Sequence, residues 1–414
     1  MAKERVEWFL ARRISPKRGE RSGAMIGIAR ISVAISVAVM LVAISVIVGF
    51  KEVLHEKLTG LESHITVEPA GSHYALEAKP LTINREFEEC VAQMEGFESI
   101  TPFASRAGIV RSSDVMQGAF LRGVAPDYDM DYYRSCLVEG TLPRIGDKER
   151  KKDILISQTL ARALDVEVGD KVEFVFTSDN SPVRRDAYKV SGIFSTGFAS
   201  MERMLTLTDI RNVQRLNRWA EDEVSGYMIM ARDMDSSREL VGNVRAEAYL
   251  MGGDEMWRTN DLVGSYPQIF DWLATHDVNG AVIIIIMIIV AMLNMSSALL
   301  IIIFERIRMI GTLKALGMRN RSVQRLFLLC ASKVILGGLL WGNVVAGVLL
   351  GVQHLTGIIA LDPEAYLISA VPVAFGWWWW LAVDLLLPLV LLVLLMIPVA
   401  ITSRVRPDQT IKYQ

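Results

Sequence analysis

Five histidines (His55, His64, His73, His276 and His354) and three cysteines (Cys90, Cys136 and Cys330) have the widest chemical repertoire in this 414-residue chain. Their spacing serves none of it. No pair sits as metal ligands or as a base with its orienting partner would, so no metal site and no catalytic residue is expected. No G-x-x-x-x-G-K-[ST] loop is present to cradle phosphates, and no H-E-x-x-H, G-x-S-x-G or G-x-G-x-x-G occurs. The chain is read as non-catalytic, without a cofactor of its own.

What chemistry remains is recognition. The segment Glu305-Arg306-Ile307-Arg308-Met309-Ile310-Gly311-Thr312-Leu313-Lys314-Ala315-Leu316-Gly317 places Ile307, Ile310 and Leu313 on one helical stripe. Arg306, Arg308 and Lys314 stay available to a partner or to lipid phosphates, and Gly317 ends the helix. Two polar residues interrupt otherwise apolar runs. Asn294, near Ser296 and Ser297, is of the kind that joins helices by hydrogen bonds in lipid. Asp384 is a functional candidate because carboxylates are costly in a membrane. It lies four residues past the Trp377–Trp380 run that marks an interface, so a basic partner or water is expected for it.

These residues need apolar elements to hold them. Four runs supply these: Ile31–Phe50, Val278–Phe304, roughly Val334–Gln353 and roughly Gly376–Thr402. A bilayer core of about 30 Å takes about 20 helical residues, and only helices or closed barrels satisfy their backbone there. Four transmembrane helices follow. Residues 1–30 hold 8 Lys and Arg against 3 Asp and Glu, and 305–333 hold 7 against Glu305 alone. Residues 354–376 hold no Lys or Arg. The basic flanks, including the C-terminal tail, are therefore cytoplasmic. Residues 51–277, with 26 basic and 38 acidic residues, lie outside.

The boundaries read as follows. Residues 1–22 form a basic amphipathic cytoplasmic helix, 23–50 the first span, 51–277 the outer domain with a stalk helix at each end, and 278–304 the second span. Residues 305–325 form a cytoplasmic helix and loop, 326–354 the third span, 355–375 an outer loop, 376–402 the fourth span and 403–414 a cytoplasmic tail. The first run is too long for a signal-peptide h-region and no small-residue cleavage site ends it.

The outer segment alternates strand and helix signals, so an α+β domain is expected. Strands fall at His64–Glu68, Ala107–Arg111, Ala119–Val124, Ile154–Ile156, Lys171–Phe176, Tyr188–Phe194, Met204–Thr208 and Tyr227–Met230. Helices fall at Asn84–Met94, Gln158–Leu164, Asp209–Asn217 and Ser236–Leu250, with Ser157 and Thr208 as N-caps. Subdomain breaks are expected near Gly118–Gly123 and Ala220–Ser225, and stalks at 51–61 and Asp261–Asp277. Cys90 and Cys136 lie outside, where oxidation permits a disulfide; the sequence leaves that pairing open.

The 305–317 segment resembles the coupling-helix motif of MacB/FtsX-type ABC permeases, E-[RK]-x-[RK]-E-I-[GA]-x-L-[RK]-A-[LM]-G. Glu305, Arg306, Arg308, Ile310, Gly311, Leu313, Lys314, Ala315, Leu316 and Gly317 match, and Met309 stands where the motif has a second Glu. Within that superfamily the chain is similar to the LolC/LolE lipoprotein-releasing permeases. The similarity rests on Phe9-Leu10-Ala11-Arg12-Arg13, Gly49-Phe50, His64-Ile65-Thr66-Val67 and Leu121-Arg122-Gly123-Val124-Ala125-Pro126. It continues in Ile154-Leu155-Ile156-Ser157, Val166-Glu167-Val168-Gly169-Asp170-Lys171-Val172 and Gly192-Ile193-Phe194-Ser195-Thr196-Gly197.

The resemblance implies a bacterial inner-membrane permease with cytoplasmic termini and a periplasmic domain of Porter and Sabre parts. It implies a LolD-like ABC ATPase subunit, carrying ATP and Mg, and a second permease subunit, either an identical copy or a paralogue. It further implies a lipoprotein substrate, a periplasmic lipoprotein carrier and contact with membrane lipids, but no nucleic acid. It also makes Ile47, Val48, Phe50, Ile284, Met287 and Ile288 candidates for an acyl-chain slot; packing or lipid contact is the alternative for each. A MacB-type efflux permease and an FtsX-type regulator of a cell-wall hydrolase remain as alternatives.

Overall fold

The computed structural model describes residues 21–72, 79–112, 115–178, 181–253, 256–305, 312, 318–362, 368 and 370–402. The expected N-terminal helix and C-terminal tail lie almost wholly outside them. The chain divides into two compact units. One comprises Met1–Glu52, Trp272–Ile359 and Val371–Gln414; the other comprises Val53–Asp271 and Ala360–Ala370.

The first helix, α1 (Arg21–Leu61), runs unbroken for 41 residues. At 1.5 Å per residue it is roughly 60 Å long, about twice a bilayer core. Its apolar run gives way after Phe50 to a stretch with one apolar stripe, on which Leu54, Leu58 and Leu61 are fully buried.

The outer unit then follows in the order β1 (Ile65–Pro69), β2 (Leu81–Thr82), α2 (Arg85–Ala92), β3 (Phe97–Ser112), β4 (Val115–Val124), α3 (Asp131–Ser135), β5 (Leu137–Gly140) and β6 (Asp153–Ser157). It continues with α4 (Gln158–Leu164), β7 (Lys171–Ser178), β8 (Ser181–Phe194), α5 (Ala199–Glu202), β9 (Leu205–Asp209), α6 (Ile210–Asn217), β10 (Glu223–Val224), β11 (Gly226–Ala231), α7 (Met234–Gly252), β12 (Trp257–Asp261) and α8 (Leu262–Ser265). Ten strands form one sheet in the order β12-β1-β11-β3-β4-β9-β6-β8-β5, with β7 bonded to β3 and β8. Strand alternation separates two faces. Ile65, Val67, Ala104, Leu121, Tyr227 and Ile229 share one buried core with residues of α2, α6 and α7 such as Phe87, Val213 and Leu240. Thr66, Phe103, Ser105, Phe120, Arg122 and Met228 alternate with them and belong to the other face.

Three local expectations need correction. Gly118–Gly123 is no subdomain break; it lies inside β4, which pairs along its length with β3. A Cβ at Gly123 would stand 2.7 Å from Ile210 Cα, so the glycine is there because α6 packs close on the strand. The cap of α6 is Asp209, whose side chain accepts from Arg211 N at 2.9 Å, whereas Thr208 Oγ1 donates to Asp153 O. The second stalk does not begin at Asp261. That residue ends β12 and caps α8, and the long helix α9 (Pro267–Glu305) starts only after Tyr266. Ser157 does cap α4, accepting from Leu160 N at 3.1 Å.

In the other unit, α9 is joined by α10 (Asn320–Thr356) and α11 (Trp377–Thr402). With α1 these make four helices long and apolar enough to cross a membrane. Their shared core contains Val33, Val37 and Leu41 of α1, Ala291 and Met295 of α9, Val334 and Ile335 of α10, and Leu387, Leu391 and Leu395 of α11. The chain is thus a four-span membrane protein with a large α+β domain between the first and second spans. In the last turn of α10, the buried amide of Gln353 donates to Ile359 O and Val371 O and accepts from Ile359 N. That triple bond set fixes the start and end of the loop before α11.

Candidate functional site

Within the outer unit, the end of α1 is clamped to the face of the sheet that carries Thr66, Phe103 and Arg122. Arg122 of β4 donates from Nη2 to both carboxylate oxygens of Glu62 at 2.9 Å, and from Nη1 to Leu61 O at 3.0 Å. The guanidinium therefore binds the residue after the helix and satisfies one of its orphan terminal carbonyls. Burial pulls the Arg122 pKa down, but the Glu62 carboxylate outweighs this and the net shift is upward. One turn earlier, Lys57 donates to Thr196 O and sits 5.8 Å from the Phe198 ring centre. The buried Glu202 holds that segment by accepting from Thr196 N and Oγ1 at 2.7 Å. Gly60 lies flat against the ring of Tyr132, where a Cβ would collide. Arg122 belongs to the Leu121-Arg122-Gly123 stretch of the family resemblance, but no local pattern pairs it with Glu62, 60 residues away.

In the membrane unit, the candidate slot residues divide. Phe50 meets Trp272 edge-on at 5.9 Å and stacks with His276 at 6.4 Å. Lys51 pairs with Asp277 at 2.6 Å, and Ile47 occupies the space a side chain at Gly280 would need. Ile47 and Phe50 thus pack on α9 of the same chain. Ile284, Met287 and Ile288 are partly buried against the four-helix core, and Val48 is half-buried. The exposed stripe of α9 is Val282, Ile286, Ile289 and Leu293, each 46–56 % exposed at i, i+4, i+7 and i+11. A helix apolar all round gives no periodic signal for this face, and the slot candidates rest on the resemblance alone.

The intramembrane polar residues have partners. Asn294 Nδ2 donates to Ser32 Oγ, joining α9 to α1. Asp384 Oδ1 accepts from Asn343 Nδ2 at 2.8 Å, joining α11 to α10. Its partner is an asparagine and not the expected lysine or arginine. Asn343 Nδ2 also donates to Leu339 O at 3.0 Å, so the amide stays satisfied from its own helix. Of the coupling segment, Glu305 ends α9 and Thr312 is helical; Arg306, Arg308, Ile310, Gly311, Leu313, Lys314, Ala315, Leu316 and Gly317 lie outside the described residues. Cys90, Cys136 and Cys330 are free thiols, and no metal-binding group of His, Cys, Asp and Glu occurs among the described residues.

The MacB-like periplasmic core domain family matches residues 27–247. The chain belongs to this family. An FtsX-like permease C-terminal domain follows at residues 281–407, covering most of α9 through α11. The two matched domains together account for most of the chain's length. It is 23% identical over 405 residues to the lipoprotein-releasing system transmembrane protein LolC of Xylella fastidiosa, covering 93% of this chain and 92% of that relative. The LolC of Neisseria meningitidis is 23% identical over 386 residues, covering 88% of each. Among solved structures, the periplasmic region of MacB from Actinobacillus actinomycetemcomitans aligns at 13% identity with a TM-score of 0.35, over 51% of this chain and 95% of that one.

Proposed function

We propose that this permease is the membrane subunit of an ABC-type complex that extracts lipoproteins from the outer leaflet of a bacterial inner membrane. The observation that carries the reading is similarity to LolC along 93% of the chain, through both family domains. Four helices and a large domain between the first two fit a multi-pass subunit with that domain in the periplasm and both termini in the cytoplasm. ATP and Mg belong to a separate LolD-like ATPase, which binds the segment Glu305–Gly317 through Arg306, Arg308 and Lys314 around Ile310, Gly311, Leu313, Ala315 and Leu316. A second permease subunit completes the complex, and a periplasmic carrier receives the cargo.

Physical chemistry sets the demand. Each buried CH₂ of a lipid anchor holds it by about 0.8 kcal/mol, so release of a multi-acylated anchor needs continuous shelter for the chains. In this reading the stripe Val282, Ile286, Ile289 and Leu293 offers that shelter at the contact with the second permease. Ile284, Met287 and Ile288 border it. Lys51–Asp277 and Phe50 with Trp272 and His276 fasten α1 to α9, so a push on the cytoplasmic end of α9 moves both. Arg122 and Glu62 carry movement of α1 into the sheet.

Depletion in the native host tests this. Lipoproteins destined for the outer membrane accumulate in the inner membrane if the reading is right. A normal lipoprotein distribution with failed drug or toxin export overturns it.

A further inference from the structure

The outer unit holds a cavity of about 250 Å³ on the face of the sheet that carries Thr66, Phe103 and Arg122. All of its lining residues lie within that unit. Sheet register assembles it: Thr66 pairs with Met228, Ser105 with Arg122, and Phe120 with Leu205. Phe103, Leu205 and Met228 are its buried apolar members, while Met201, Met204 and Tyr266 are more open.

The three charged residues of the lining all have partners. Arg122 donates to both carboxylate oxygens of Glu62. Glu68 is engaged as well, and stands opposite Arg258 across the β1–β12 pair. An ion entering the cavity would shed water without gaining a counter-charge, so a neutral occupant is favoured. The hydroxyls set the polarity of its polar group. Ser63 Oγ donates to Ile65 O at 2.9 Å, so in its 3.2 Å contact with Thr66 the donor is Thr66 Oγ1. Ser105 Oγ donates to Ser225 Oγ at 3.5 Å. A hydroxyl has one hydrogen, which leaves Thr66 and Ser105 only acceptor lone pairs to offer the cavity. A matching occupant therefore brings an N–H or O–H donor.

The rest of the lining favours a ring. Met201, Met204 and Met228 supply thioethers, which attract aromatic rings. Phe103, Phe120 and Tyr266 offer ring-to-ring contact, and the Arg122 guanidinium attracts a π face. A cavity of about 150 Å³ takes one benzene, and drug-sized sites start at about 300 Å³. This one suits a fused bicycle or a substituted single ring. We infer that the cavity binds a neutral aromatic small molecule with one N–H or O–H donor, of the indole or phenol class. Arg122 also grips Glu62 and Leu61 O, so an occupant against its guanidinium holds the end of α1 on the sheet. The inference is independent of the lipoprotein reading.

The test uses the full chain in nanodiscs, with fluorinated indole as the probe and fluorine NMR as the readout. Empty nanodiscs give the background of partition into lipid. Wild type shows saturable binding above that background. Met204→Trp, at a position already 43% exposed, fills the cavity and weakens binding at least tenfold. Thr66→Val removes one acceptor; it weakens indole severalfold and leaves N-methylindole, which lacks the donor, unchanged. That comparison stands even if Met204→Trp fails to fold. Cyclohexanol competes at least tenfold less well than indole, and benzoate and benzylammonium do not compete. Saturating indole raises the unfolding temperature of wild type, as a ligand of the native state must, and leaves that of Met204→Trp unshifted. Probe uptake no greater than that of empty nanodiscs overturns the inference. So does equal binding by a folded Met204→Trp, or competition by N-methylindole or benzylammonium equal to that of indole.

Discussion

Arg122 of β4 grips both carboxylate oxygens of Glu62, the residue that follows a 41-residue helix, at 2.9 Å each. The same guanidinium caps Leu61 O at 3.0 Å. Arg122→Met leaves Glu62 and the helix-end carbonyl without their donors, at a cost of about 2–3 kcal/mol. Thermal unfolding of the full chain should show that loss. Arg122→Lys should recover only part of it, because an ammonium cannot replace a two-pronged contact. Unchanged unfolding in Arg122→Met would contradict the clamp.

His64 makes the outer unit sensitive to acid. Burial lowers its pKa to about 4, with a further lowering from His55 and an opposing pull from Asp233. Its Nδ1 accepts from Ala231 N at 3.3 Å, which requires the neutral ring. The unfolded chain protonates near 6.5, so the native state is favoured above that value and loses support as pH falls from 6.5 toward 4. The loss is on the order of 3 kcal/mol by pH 4. His64→Gln should flatten unfolding temperature against pH in that window; an unchanged slope would count against the assignment.

The packing of α1 on α10 depends on two glycines. A Cβ at Gly342 would lie 2.6 Å from Val37 Cβ and 2.8 Å from Ala34 O, and one at Gly338 would lie 2.7 Å from Val33. Gly342→Val should therefore cost about 1–3 kcal/mol through overpacking and lower membrane levels of the folded protein. Gly351, with nothing within 4 Å of its would-be Cβ, is the control: Gly351→Ala should be neutral. Equal effects at both sites would disprove the interface.

Asp384→Leu should leave growth complementation intact. The variant removes one interhelical hydrogen bond, worth about 0.6 kcal/mol on average in membranes, and Asn343 keeps Leu339 O as acceptor. Lost complementation at normal membrane levels would assign Asp384 a further role.

Much of this architecture was legible, and the failures have physical causes. Charge segregation and run length marked four spans because lipid imposes its length on every helix. Ser157 was legible as a cap because its partner lies three residues away. Gly123 reads as a break because a glycine looks the same in sequence whether it serves a linker or the close approach of α6 at Ile210. β12, Trp257–Asp261, leaves no sequence signal because WRTND lacks apolar alternation. Ile47 and Phe50 were legible as apolar and near the outer end of a span. That they pack on Gly280, Trp272 and His276 is a tertiary fact no local pattern carries.

The central claim is extraction of lipoproteins, and reconstitution measures it directly. The permease, with its ATPase and paired subunit, is placed in liposomes containing a triacylated lipoprotein, and a periplasmic carrier is added outside. Lipoprotein should pass to the soluble carrier only with ATP and Mg, and Leu313→Glu should abolish both transfer and co-purification of the ATPase. Brisk ATP hydrolysis by the intact complex with no lipoprotein leaving the membrane would contradict the account.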